Sequence, residues 1–157
     1  MEEYVARTME ALKSNRMTPY YLESREEVVP LLKELIPEGA SVTLGGSVTL
    51  EECGALDLVR KDCYKLYDRY AAGLSKEEML EVLRQGLTAD VMLSSTNAIT
   101  EDGYLYNVDR NSNRVAGLAF GPRSVIALVP ASTRSFRPWT MPSAASRPSP
   151  RLSMPPD

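Results

Sequence analysis

The side chains able to do chemistry in this 157-residue chain gather in three polar clusters. Residues 45–49 read GGSVT. Gly45 and Gly46 permit a tight turn. Ser47 and Thr49 add hydroxyls where a following helix would present free N–H groups, which together make a cradle for an anion or a carbonyl oxygen. A glycine turn with a hydroxyl helix cap accounts for the same residues. The loop is neither a Walker A motif nor a GxGxxG fingerprint, because no lysine follows and the glycine spacing differs, so no nucleotide cofactor is called for.

Residues 94–103, SSTNAITEDG, form the second cluster. A long polar loop directly after an apolar run is where α/β proteins place binding groups, here Thr96, Asn97 and Thr100. Glu101 can act as a base or nucleophile where burial raises its pKa, although ED before G is also an ordinary turn. The third cluster, residues 107–114, reads NVDRNSNR. Its Asp109 is the second candidate catalytic carboxylate. Arg114 can either bind a carboxylate or phosphate in bidentate fashion or pair with Asp109 to fix the loop. Asn113 is a ligand donor or a helix cap. Arg110 reads as a solvated charge.

Two absences narrow the chemistry. The chain has no histidine, so it lacks the usual neutral-pH base and the commonest metal ligand. Two cysteines, Cys53 and Cys63, are too few for a four-thiolate site or an iron–sulfur run, and they read as buried thiols rather than a disulfide. No metal is expected. A net charge of -3 points away from nucleic acid. No apolar run approaches a membrane span and the start does not resemble a signal peptide, so a cytoplasmic protein is the expectation.

The elements that must position these clusters follow from periodicity. Val5, Ala6, Met9 and Leu12 repeat as one helix face. Residues 18–22 are extended or a short strand. Ser24 and Glu27 form a capping box before a helix over 28–37, which Pro30 should bend and Pro37 and Gly39 should end. SVTL at 41–44 is a strand, and TLEECGALDLVR reads as one helix opened by a Thr49/Glu52 capping box. KLYD at 65–68 is another strand. Ser75 and Glu78 open a capped helix with Met79, Leu80, Leu83 and Leu87 on its core face. Residues 89–95 form a strand, YLYNVD a hairpin or an irregular crossover, Asn113 caps a short helix, and SVIALV at 124–129 is the last strand. The tyrosines at 20, 21, 64, 67 and 70 read as core-edge aromatics. Helices alternating with short apolar strands predict an α/β fold of three layers around a mostly parallel sheet.

Composition breaks after Val129. Residues 130–157 hold seven of the eleven prolines and four Lys and Arg against one Asp and Glu, where residues 1–129 hold fourteen against twenty. A disordered Pro/Ser/Arg tail explains this. So does a shifted reading frame, which also accounts for the abrupt join to the strand.

Taken together, GGS-x-TLEECG, ADVMLSSTNAITEDGYLYNVD and NRVAGLAFGPRSVIALV closely resemble the LUD-domain family of lactate utilisation proteins over residues 1–129. The resemblance implies a fold similar to the NagB/RpiA/CoA-transferase group and to 5-formyltetrahydrofolate cyclo-ligase. It implies a role in lactate or related organic-acid utilisation, with Gly45 and Gly46 at the anionic end of a ligand and Glu101 the first carboxylate to test. Larger members work with iron–sulfur subunits. This chain has no cysteine run, so it looks like a cluster-free subunit, catalytic or merely docking, or a stand-alone relative. The family's continuation past the last strand, a glycine, an Asn-Lys pair and a helix, is not visible after Val129. The resemblance therefore favours a frameshift near residue 130, and with it an incomplete domain or an inactive product.

Overall fold

A computed structural model describes residues 3–130 and 135–136. The expectations of a disordered or out-of-frame tail concern residues 130–157, which apart from 130, 135 and 136 lie outside this range. Four parallel strands, β1 (Ser41–Leu44), β2 (Lys65–Tyr67), β3 (Val91–Ser94) and β6 (Ser124–Ala127), form a sheet in the order β2-β1-β3-β6. Val42 pairs with Leu66 on one side and Val91 on the other, and Leu93 pairs with Ile126. The chain runs from β1 out to β2 and crosses back to β3, so the connections diverge between β1 and β3.

The two faces of the sheet pack differently. Val42, Leu44, Val91 and Leu93 point to one side because side chains alternate along a strand. They bury with Leu32 and Ile36 at the end of α2 (Val28–Leu35), Leu50 of α3 (Val48–Glu52), and Ala55, Leu58 and Val59 of α4 (Ala55–Val59). Each fully buried leucine there stabilises the fold by roughly 1.5–3 kcal/mol. The opposite face carries Thr43 and Met92 and is covered by α5 (Lys76–Gly86) and α6 (Asn113–Phe120). Those helices come close because Gly86 sits on Thr43 and Gly117 on Met92, where a Cβ at Gly117 would lie 2.7 Å from the Met92 Sδ. The three-layer α/β expectation holds.

A second, small sheet lies beyond β3. Its strands β4 (Ala98–Thr100) and β5 (Leu105–Tyr106) form an antiparallel hairpin, and β7 (Ser135–Phe136) runs parallel to β4. The hairpin turn docks on α1 (Glu3–Ser14). Asn15 donates from Nδ2 to the carbonyls of Asp102 and Gly103, and Arg7 meets Glu101.

Local expectations needed correction at several points. Pro30 does not lie in the interior of its helix. It falls in the first turn of α2, after a 3-10 turn at Arg25–Glu27, where its missing N–H has no helical acceptor to lose. The helix expected after β1 is two short ones, because Gly54 adopts φ +74 and breaks it. Its cap is Ser47, whose Oγ accepts the Thr49 N–H, rather than Thr49. Asn113 begins α6 and does not cap it. Of the two readings of residues 18–22, the short strand is not present among the described residues, and β6 ends at Ala127. Both cysteines are free thiols, but Cys63 is exposed and Cys53 half-buried. Tyr20, Tyr21 and Tyr70 are exposed, not packed at the core edge.

Candidate functional site

In open α/β sheets ligands bind beyond the carboxyl ends of the strands, at the point where connections diverge. Here that point lies between Gly45, after β1, and Ser94, ending β3. The N–H of Gly45 donates to the carbonyl of Leu93 at 2.8 Å. A Cβ on Gly45 would fall on the Ser94 hydroxyl and lie 2.9 Å from Met92 Cε, so only glycine lets the two strand ends close up. Gly46 follows at φ +72, in the left-handed region that favours glycine. Its bare Cα faces the next loop: a Cβ there would be 3.2 Å from Nη1 of Arg69 and 3.4 Å from the Tyr70 hydroxyl.

Opposite this turn, Ser94, Ser95 and Thr96 are all buried. The Thr96 hydroxyl lies 3.0 Å from the carbonyls of both Ala98 and Tyr106, fixing the root of the hairpin. Asn97 Oδ1 accepts the Val108 N–H at 2.9 Å. Thr100 Oγ1 accepts the N–H of Tyr104 within the hairpin turn.

Arg114 joins these pieces. Its Nε donates to Asp109 at 2.9 Å, Nη2 to Asn97 Oδ1 at 2.6 Å and to the Val108 carbonyl at 3.0 Å, and Nη1 to the Ser95 carbonyl at 3.4 Å. Four of the five guanidinium donors therefore end inside the protein. The other oxygen of Asp109 accepts the Val115 N–H at 2.8 Å, so this carboxylate caps α6 in place of Asn113. Asn113 stands with Gly117 at a narrow gap between β1, β3 and the covering helices, about 10 Å³ in volume, roughly enough for one water.

Glu101 is set apart from this group. It occupies the hairpin turn, is about a third exposed, and its carboxylate lies 3.3 Å from the Arg7 guanidinium. The structure thus brings Gly45, Gly46, Ser47 and Thr49 to one strand end, and Thr96, Asn97, Asp109 and Arg114 to the next. Glu101 and Thr100 sit at the far tip of the hairpin. Arg69 and Tyr70 were missed in the sequence. Their signal was their position, two and three residues past the end of a strand. Among the described residues, no three acidic or cysteine side chains gather to hold a metal, and no helix is long and apolar enough to cross a membrane.

A family model described as the LUD domain matches residues 5–133. No curated protein and no solved structure matches the chain.

Proposed function

Because the chain belongs to the LUD-domain family, we propose that it binds a small organic anion at the carboxyl edge of its parallel sheet and serves lactate or related organic-acid utilisation in the cytoplasm. The observation that carries this reading is the juxtaposition of the Gly45–Gly46 turn with the buried hydroxyl run at the end of β3. On this reading Gly45, Gly46, Ser47 and Thr49 supply one wall and Thr96 and Asn97 the other. Arg114, Asp109 and Asn113 hold the second wall, and Glu101 and Thr100 stand on the hairpin that extends it.

Titrating the full chain with L-lactate, pyruvate, CoA and folate derivatives while following thermal unfolding tests this. A ligand that binds only the native state at a hundred times its Kd adds about 2.7 kcal/mol. The expected result is a rise in Tm with an organic acid, lowered by Gly46→Ala. No response from any of the four classes would overturn the proposal. Loss of turnover without loss of binding in Glu101→Gln would assign that carboxylate to a reaction rather than to the ligand's anchorage.

A second reading, a non-catalytic subunit docking with iron–sulfur redox partners, is favoured by one feature. Tyr106 of the hairpin's edge strand, Tyr104 just before that strand and Val108 just after it are 59%, 64% and 59% exposed, apolar surface of the kind found at interfaces. Complex formation with iron–sulfur subunits of a lactate-oxidising system, lost in Tyr106→Glu, would support it.

A further inference from the structure

We infer that Arg69 is the residue that grips the oxygens of the anion, an assignment that rests on the anion-binding reading above and adds a residue to it. The first support is position. Strands β1 and β2 are parallel neighbours, with Thr43 opposite Tyr67, so the loops after them emerge side by side at the carboxyl edge. Arg69 and Tyr70 front the bare Cα of Gly46, where a Cβ would be in close contact with the guanidinium at 3.2 Å and touch the phenol hydroxyl at 3.4 Å.

The second support is the distribution of charge. Among the described residues, Arg7, Arg25, Arg60, Arg84, Arg114 and Arg123 each have a carboxylate within 4 Å. Arg16, Arg69 and Arg110 have none, and of these three only Arg69 is partly buried. The acid next to it in sequence, Asp68, is engaged elsewhere: it accepts from Arg60 Nε at 2.9 Å and from the Tyr70 N–H at 2.8 Å. Arg69 is held instead against the Tyr70 ring, with its Cζ 5.5 Å from the ring centre, a cation–π contact that orients the guanidinium without using its N–H donors. A half-desolvated cation with unused donors, placed at the ligand edge of the sheet, favours an oxyanion.

The third support is elimination within the site. Arg114 has a single N–H left and cannot form a bidentate fork with a ligand. Among the described residues, Arg69 is the arginine at this edge that can. The chemistry it fits is a small oxyanion, the carboxylate of an organic acid or a phosphate, with the Tyr70 hydroxyl as a neighbouring donor.

The test is calorimetric titration of the full chain with L-lactate, pyruvate and inorganic phosphate in wild type, Arg69→Met, Arg69→Lys and the control Arg110→Met, each first shown to unfold cooperatively. Arg69→Met should weaken the anion that binds wild type by about tenfold or more, and Arg110→Met should leave it unchanged. Arg69→Lys, which keeps the charge but not the fork, should fall between. Response to the two carboxylates alone, or to phosphate alone, identifies the source of the oxyanion. If Arg69→Met binds as tightly as wild type, or if it fails to fold and Arg69→Lys binds as tightly as wild type, the assignment falls while the anion reading stands. If none of the anions binds wild type, that reading falls and takes the assignment with it.

Discussion

The guanidinium of Arg114 lies 2.9 Å from the Asp109 carboxylate, and only about a tenth of either side chain is exposed. The pair is closed by further partners: Ser95, Asn97 and Val108 around the arginine, and the Val115 N–H on the second carboxylate oxygen. It therefore ties the end of β3, the strand-exit loop and the start of α6 together. Removing one member strands a buried charge. Arg114→Ala should cost about 3–5 kcal/mol by urea unfolding. Arg114→Ala with Asp109→Asn should cost less than the sum of the two single changes, as a double-mutant cycle would show.

The contact between Gly45 and Ser94 makes a steric prediction. Gly45 has no left-handed φ, so the only objection to alanine is the space held by Ser94 and Met92. Gly45→Ala should destabilise by about 1–3 kcal/mol, and Ser94→Gly in the same chain should recover part of that loss in the urea midpoint.

At the other edge of the sheet, Asp90 accepts the Ser41 hydroxyl at 2.6 Å and the Ser41 N–H at 3.0 Å. These bonds, with a smaller contribution from Arg123, hold its carboxyl below the ordinary carboxylate value despite partial desolvation. A lowered folded pKa means that the stabilisation is fully present above the unfolded value and is lost as pH falls through the folded one. The gap in urea midpoint between wild type and Asp90→Asn should therefore be full at neutral pH and close below about pH 4.

The hairpin turn separates two kinds of residue. The Arg7–Glu101 pair is open to solvent, and Glu101→Gln should change stability by less than about 1 kcal/mol. Gly103 is different. Its φ is +82, and a Cβ would sit 2.8 Å from the backbone of Ala11, which cannot move aside as a side-chain tip would. Gly103→Ala should cost about 2 kcal/mol or more and loosen α1 from the hairpin, seen as faster amide exchange in both. Ligand or activity effects of Glu101→Gln can then be read without a folding correction.

Much of the fold was legible because it depends on neighbours in sequence. The strand at 41–44 and the Ser75/Glu78 box opening α5 were both expected and are both present, since a run of apolar residues or a cap three residues away carries its own signal. The parallel sheet followed from helices alternating with such strands. Where two local signals competed, sequence reasoning chose wrongly. Thr49 with Glu52 looked like a cap, but Ser47 lies at the true boundary, and the break at Gly54 outweighs a continuous apolar face.

The sequence by itself also determined the family, the α/β class and the glycines at 45 and 46 as a turn after a strand. What only the tertiary structure decided is which polar groups are already engaged. Arg114 and Asp109 are five residues apart and their pairing was one of two readings. The Ser95 carbonyl and Asn97 that complete the arginine's shell lie 19 and 17 residues away and bear no local mark. Arg69 and Gly46 are brought together only by the pairing of β1 with β2, and Arg7 meets Glu101 across 94 residues. Residue type shows that a group can bind. Whether it is free to do so depends on partners supplied by strand order and loop closure, and those are set by burying the whole apolar surface at once, not by any one stretch of chain.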